Sequence, residues 1–266
     1  PLTAYEEIID FSPVLSKVNR PVYDFLAEKY IEYYKWINFQ GKNPGTDADK
    51  AFSDTEIFIT LPSDKTTNNC LLLFQKLEKH YLDTRNTLGL QMATLRRIKF
   101  MFERYSNENT LYQNTLKTFI SKWGETAFTL RAKYYLASFY HGAASKDKNP
   151  EYRTEALKIA NEIINSKTPN DVTYEAQLIR NNITSISAKL QTQSHIAPNR
   201  PWLANVSFAN TDSLVVRLYK IPIKNVKVVF NRKDVESHPL VLEKVYALPN
   251  KHLSLIHISE PTRRTP

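Results

Sequence analysis

The apolar residues of this chain keep a helical period for most of its length and then abandon it. Over residues 21–38, Val22, Phe25, Leu26, Tyr30, Tyr33, Tyr34 and Ile37 recur at the spacing of one helix face, with Pro21 suited to a first turn. The spacing returns over 66–83 (Leu71, Leu72, Phe74, Gln75, Leu77, Glu78, Tyr81, Leu82) and 87–105 (Leu88, Met92, Leu95, Ile98, Phe102, Tyr105). It continues over 108–123 (Leu111, Leu116, Phe119, Ile120, Trp123), 125–144, 151–166 and 171–190. Between the first two helices, residues 39–65 hold Gly41, Pro44, Gly45 and Pro62, the signature of a loop, with one extended run at 56–60. Near Pro198 the pattern changes to β-branched alternation with Asn/Asp turns. Residues 203–209, 214–221, 226–230 and 240–248 then read as strands, the first two as an antiparallel hairpin around 210–213. The expected fold class is therefore mainly α, a helical region over 1–195 followed by a β segment over 198–252.

Individual faces can be assigned from the same pattern. The aromatic stripe of 21–38 reads as core packing rather than a ligand platform. In 125–144, Ala132, Ala137, Ala143 and Ala144 alternate with large residues, so a neighbouring helix can approach closely. Arg96-Arg97-Ile98-Lys99 is the densest basic spot and reads as a solvated helix face. The net charge of +9 is otherwise spread among acids, which argues against nucleic acid as a partner. A polyanion binder rests on charge alone, and its binding would fall steeply with salt.

Chemistry is hard to place in this chain. With 5 Gly, none in a phosphate-cradling spacing, a nucleotide loop is not expected. Cys70 is the single cysteine, so no internal disulfide and no cysteine-based metal site can form. His80, His141, His195, His238 and His252 are far apart in sequence and read as core or surface residues. No nucleophile elbow accompanies the serines. The sequons at Asn182 and Asn205 matter only in a eukaryotic secretory setting. No catalytic, cofactor-binding or metal-binding residue is nominated, binding residues stay unknown, and an enzyme is not expected. No apolar run approaches the roughly 18 residues of a membrane helix, so membrane attachment would need an anchor outside this sequence.

Residues 253–263 read Leu-Ser-Leu-Ile-His-Ile-Ser-Glu-Pro-Thr-Arg, which is the translation of a common transposase sequencing adapter. The expectation is that native sequence stops near His252, that 253–266 is a non-native tail, and that the protein continued beyond the junction.

Two resemblances arise from these segments. The helix pair carrying Tyr140, Ala156 and the closing Pro169 resembles a degenerate tetratricopeptide repeat, and Tyr105 and Tyr140 lie 35 residues apart, near its period of about 34. The stretch from Pro201-Trp-Leu-Ala-Asn-Val-Ser-Phe-Ala to Leu-Val-Val-Arg-Leu-Tyr-Lys220 resembles the opening strands of the first macroglobulin domain of bacterial alpha-2-macroglobulin-like proteins, particularly those of Bacteroidetes. In that group a helical region precedes the strands; here Tyr23 to Tyr30, Leu71 to Tyr81, residues 126–169 and Ile183 to Leu190 match it in outline. The resemblance implies a truncated β-sandwich in a large protein of the cell envelope, periplasmic or outer-membrane associated. Relatives trap proteases through bait-region cleavage, sometimes with a thioester. Cys70, in Asn-Asn-Cys-Leu-Leu, lacks the following Glu-Gln of a thioester.

The expected function is thus a non-catalytic N-terminal portion of an alpha-2-macroglobulin-like protein, with protein partners that include proteases through its missing part. The alternative is a tetratricopeptide-like helical binding module of the glycan-capturing outer-membrane lipoprotein type, in which Trp36 or Trp123 would stack on sugars.

Overall fold

A computed structural model describes residues 14–37, 48–61, 69–104, 109–146, 150–192, 203–222, 231–248 and 256–261. Tyr105, His195, Trp202, His252 and the expected strand at 226–230 lie outside the described residues, as does the side chain of Trp36. The protein is mainly helical with a few short antiparallel strands. It divides into two compact units, Pro1–Arg180 and Asn181–Pro266.

In the helical unit a short 3-10 turn, Leu15–Lys17, leads into α1 (Val22–Ile37). Then come α2 (Ala48–Ala51), α3 (Thr55–Phe58), α4 (Asn69–Asp83), α5 (Thr87–Arg104), α6 (Asn109–Trp123), α7 (Ala127–Lys146) and α8 (Pro150–Asn165). The seventh long helix, α9 (Thr173–Thr184), begins in this unit and ends in the next. The extended run expected at 56–60 is instead a helical turn. Asp54 accepts a hydrogen bond from the Thr55 backbone at its start, and Phe58 turns into the core at 1% exposure.

Local chemistry places each helix end. At the start of α7, Thr126 and Thr129 cap one another reciprocally, each side-chain oxygen accepting from the other's backbone N–H at 3.1 and 2.8 Å. Gly124, at φ +63°, supplies the left-handed turn that ends α6. Asn170 closes an Asx turn just ahead of α9, its side-chain oxygen accepting from Val172 N and the Thr173 hydroxyl. Ser166 and Thr168, just beyond α8, both donate to Glu125 and join the end of α8 to the start of α7.

The core follows the small-residue pattern of α7. Ala132 and Ala137, with Ala156 and Ala160 of α8, are fully buried at 0% exposure, and only three residues separate these two helices. Such a short link makes them antiparallel neighbours. Phe102, Tyr112 and Phe139 join α5, α6 and α7 through one aromatic cluster, with Phe102 and Tyr112 stacked at 3.8 Å.

The helix expected over 171–190 stops at Thr184. Residues 187–192 form β1 (Ser187–Thr192), paired antiparallel with β2 (Leu203–Ala209). Ile186 and Leu190 therefore leave the helical stripe and are 75% and 54% exposed. β2 also pairs with β5 (Ile256–Pro261), giving the order β1-β2-β5. β3 (Ser213–Tyr219) pairs with β4 (Leu240–Ala247) in a separate two-stranded ladder, with an irregularity between Leu218 and Tyr219. A single turn of helix, α10 (Arg232–Glu236), precedes β4. The hairpin expected between 203–209 and 214–221 does not form: both strands exist, but each finds another partner. Asn210, at φ +55°, marks the separation. Its amide donates to the Ile183 and Ser185 carbonyls at 2.7 and 2.9 Å and turns the chain away from β2.

Candidate functional site

Among the described residues of the helical unit, two buried ionic clusters and a cleft stand out. The first cluster joins α1, α4 and α5. Asp24, fully buried, accepts from Arg20 Nε at 2.8 Å, Tyr81 Oη at 2.5 Å and Arg96 Nη1 at 3.2 Å. Glu28 completes the ring, accepting from Arg20 Nη2 at 2.6 Å and Arg96 Nη2 at 2.9 Å. Two guanidinium groups thus alternate with two carboxylates. Burial opposes the charge on Arg20, but the hydrogen bonds and charges of Asp24 and Glu28 outweigh it and raise its pKa. Burial first, then the Asp24 charge and hydrogen bond, push the Tyr81 phenol far above its ordinary value.

The second cluster ties the α2–α3 turn to α4 and α5. Arg97 is fully buried and meets Glu78 through Nε at 2.7 Å and Nη2 at 3.3 Å. Its Nη1 and Nη2 also donate to the carbonyls of Ala51 at 2.5 Å and Ser53 at 3.0 Å. The guanidinium also sits 4.0 Å from the Phe58 ring centroid. Glu78 Oε2 accepts from Thr55, whose hydroxyl lies 3.1 Å from that of Thr94. Each guanidinium nitrogen of Arg97 and each carboxylate oxygen of Glu78 has a partner here, as a buried charge pair requires.

These clusters correct two expectations. The basic run 96–99 is not a solvated face: Arg97 is 0% exposed, and Arg96 closes the first ring. Adjacent helical residues point about 100° apart, so the two arginines serve α1 and the α2–α3 turn separately. Nor is most of the stripe of α1 core. Val22, Leu26, Tyr30 and Tyr33 are 39–59% exposed and Phe25 and Tyr34 are half-buried, while Asp24, Ala27 and Ile31 face inward. Asp24, held by three donors, sets the rotation of the helix. The sequence signal lay in the polar Gln75 and Glu78 on the apolar face of 66–83, and in the spacing of Arg20, Asp24 and Glu28.

The cleft, about 220 Å³, lies between the α2–α3 turn and α6, with α5 as its floor. Trp123, Asn114, Thr118 and the rim pair Asp54–Lys122, at 2.8 Å, line it. Trp123 thus sits where a small molecule could reach it. For Asp54, burial works against the ionised form, but the hydrogen bond and charge of Lys122 prevail and lower its pKa.

Within the helical unit His80 lies on α4, and His141 is half-buried on α7, its imidazole held below the ordinary pKa by burial and then by Arg153. His238 belongs to the other unit. Cys70 is buried. Among the described residues, no His, Cys, Asp or Glu group could hold a metal ion, and no helix is long and apolar enough to cross a membrane. Compared with protein families, curated proteins and solved structures, the chain matches none of them.

Proposed function

We propose that this chain is a non-catalytic part of a large alpha-2-macroglobulin-like protein of the cell envelope. The helical unit is a degenerate tetratricopeptide-like support, and the β unit belongs to a macroglobulin-type sandwich. The observation that carries this reading is the β3–β4 ladder. Val215 and Val245 face each other across it and are 49% and 62% exposed. On the opposite face Leu218 meets Leu242, which is 43% exposed. A two-stranded ladder that leaves apolar pairs exposed on both faces, beside the Arg217–Glu243 ion pair, is marginal in water. A second sheet packed about 10 Å away would bury one of those faces.

Other features agree with the reading. Tyr140 and Ala156, at the repeat-like positions, are buried at 5% and 0% exposure and join α7 to α8, where Tyr140 meets Tyr152 at 5.1 Å. In both ionic clusters every carboxylate is paired with a guanidinium, which supports a structural role over acid–base chemistry. The exposed stripe on α1 supports contact with other proteins. The test is to recover the genomic reading frame that carries residues 181–252 and to sequence it beyond the His252 codon. Successive stretches of about 100 residues with sandwich patterning are expected. A stop codon, or a continuation into an enzyme domain, would overturn the proposal.

A further inference from the structure

We infer that the cleft between the α2–α3 turn and α6 binds a neutral polyhydroxylated ligand the size of one sugar ring. The first argument is charge. Asp54 and Lys122 neutralise each other at the rim, and Arg97 in the floor is neutralised by Glu78. Arg97 is also fully buried and donates to the Ala51 and Ser53 carbonyls, which disfavours it as an anion site. A phosphate or carboxylate would meet no uncompensated cation, and a cationic ligand no uncompensated acid. Neutral ligands are what remain.

The second argument is the chemistry of the lining. Trp123 brings an aromatic ring of the kind that packs against the C–H face of a pyranose, with the Lys122 ammonium over it at 5.5 Å from the ring centroid. Asn114 and Thr118, both exposed on α6, bring an amide and a hydroxyl four residues apart, one above the other on the same helix face. Lys122, a further four residues on, has three donors and uses one on Asp54. Aromatic surface beside a row of neutral and charge-balanced hydrogen-bonding groups suits a ring that is apolar on its faces and polar at its edge.

The third argument is size. About 220 Å³ falls below the roughly 300–1,000 Å³ of drug-sized pockets. One ring fits, and weak binding is expected, with a Kd on the order of 1 mM. The inference does not depend on the macroglobulin reading, since it concerns the helical unit alone.

The experiment is an NMR titration of the full chain labelled at the tryptophan indoles, with glucose, N-acetylglucosamine and, as an anion control, sodium phosphate. The Trp123 indole should shift saturably with at least one sugar and not with phosphate. Asn114→Ala and Thr118→Val should each weaken that binding by about threefold to tenfold, the effect of one lost hydrogen bond. Their melting temperatures should stay at the wild-type value, because both side chains are exposed. Trp123→Phe, which keeps a ring, should retain more binding than Trp123→Ala. Absence of saturation with either sugar, saturation by phosphate, or sugar binding unchanged in the α6 variants would overturn the inference.

Discussion

At the scale of single residues, the helical unit depends on charges that it has removed from water. Arg97 and Glu78 form the deepest pair, both at 0% exposure. Glu78→Ala would leave the guanidinium buried beside Phe58 with only carbonyls around it. The expected loss is about 3–5 kcal/mol in urea unfolding. Arg97→Lys should also cost stability, because one ammonium cannot meet Glu78, Ala51 and Ser53 together. Replacing both charges, as in Glu78→Leu with Arg97→Met, should recover much of the loss; a double variant as unstable as Glu78→Ala would argue against the pairing. Tyr81 makes a separate prediction. Its phenol is protonated in the fold and held far above the ordinary 10.0, whereas the unfolded chain ionises it near that value. Its contribution is therefore intact below pH 10 and is lost as pH rises further. Tyr81→Phe should be less stable than the wild type at pH 8, and the gap should close above pH 10. The same ring explains Gly89: a Cβ there would lie 2.4 Å from the Tyr81 ring. Gly89→Ala should cost about 1–3 kcal/mol unless the ring shifts and abandons Asp24.

Elements were legible where periodicity and capping agreed. Six of the expected helices survive with small changes at their ends, because their apolar residues pack against one another. What failed was the assignment of faces and of two short segments. The stripe on α1 was richer in aromatics than the face that is buried, and hydrophobicity alone chose the wrong side. The ionic ring decided otherwise: one buried Asp24 with three donors outweighs several tyrosines that tolerate water at their hydroxyl end. The consequence is measurable. Leu26→Lys and Tyr33→Glu should change stability by no more than about 0.5 kcal/mol. Ile31→Ala, on the buried side of the same helix, should cost about 2–5 kcal/mol in the same thermal melts. Equal losses at Leu26 and Ile31 would return the stripe to the core. The run at 56–60 failed for a different reason. Five residues with an alternating look fit a strand or one helical turn equally well, and Asp54 with the Arg97–Glu78 pair selected the turn. Of the cleft, only Trp123 was visible beforehand, because its other walls come from segments far apart in sequence.

For the whole molecule, the two units differ in how they are stabilised, and the difference should show in their dynamics. The helical unit holds its backbone hydrogen bonds inside helices packed on a continuous core of Leu71, Phe74, Leu95, Ile98, Leu116, Leu130, Ala137 and Ile163. Among its described residues the β unit offers few buried side chains: Ile183, Phe208, Ala209 and Leu248 are below 9% exposure, while β1 is exposed at every position. Local opening is least costly where few apolar contacts must be broken. Amides of Ser213–Tyr219 and Leu240–Ala247 should therefore exchange with solvent much faster than those in the middle of α5 and α7, as hydrogen-exchange mass spectrometry would read. The adapter-like segment adds a second test. β5 falls within it and pairs with β2 through the backbone, from Leu203 opposite Pro261 to Phe208 opposite Ile256. A strand pair of this kind needs only an open edge and compatible backbone, not a partner selected for it. Removing residues 253–266 should leave the melting of the helical unit unchanged and speed exchange only in β2. If that truncation instead lowers the melting of α5 and α7, the last fourteen residues are part of the fold, and the boundary inferred at His252 is wrong.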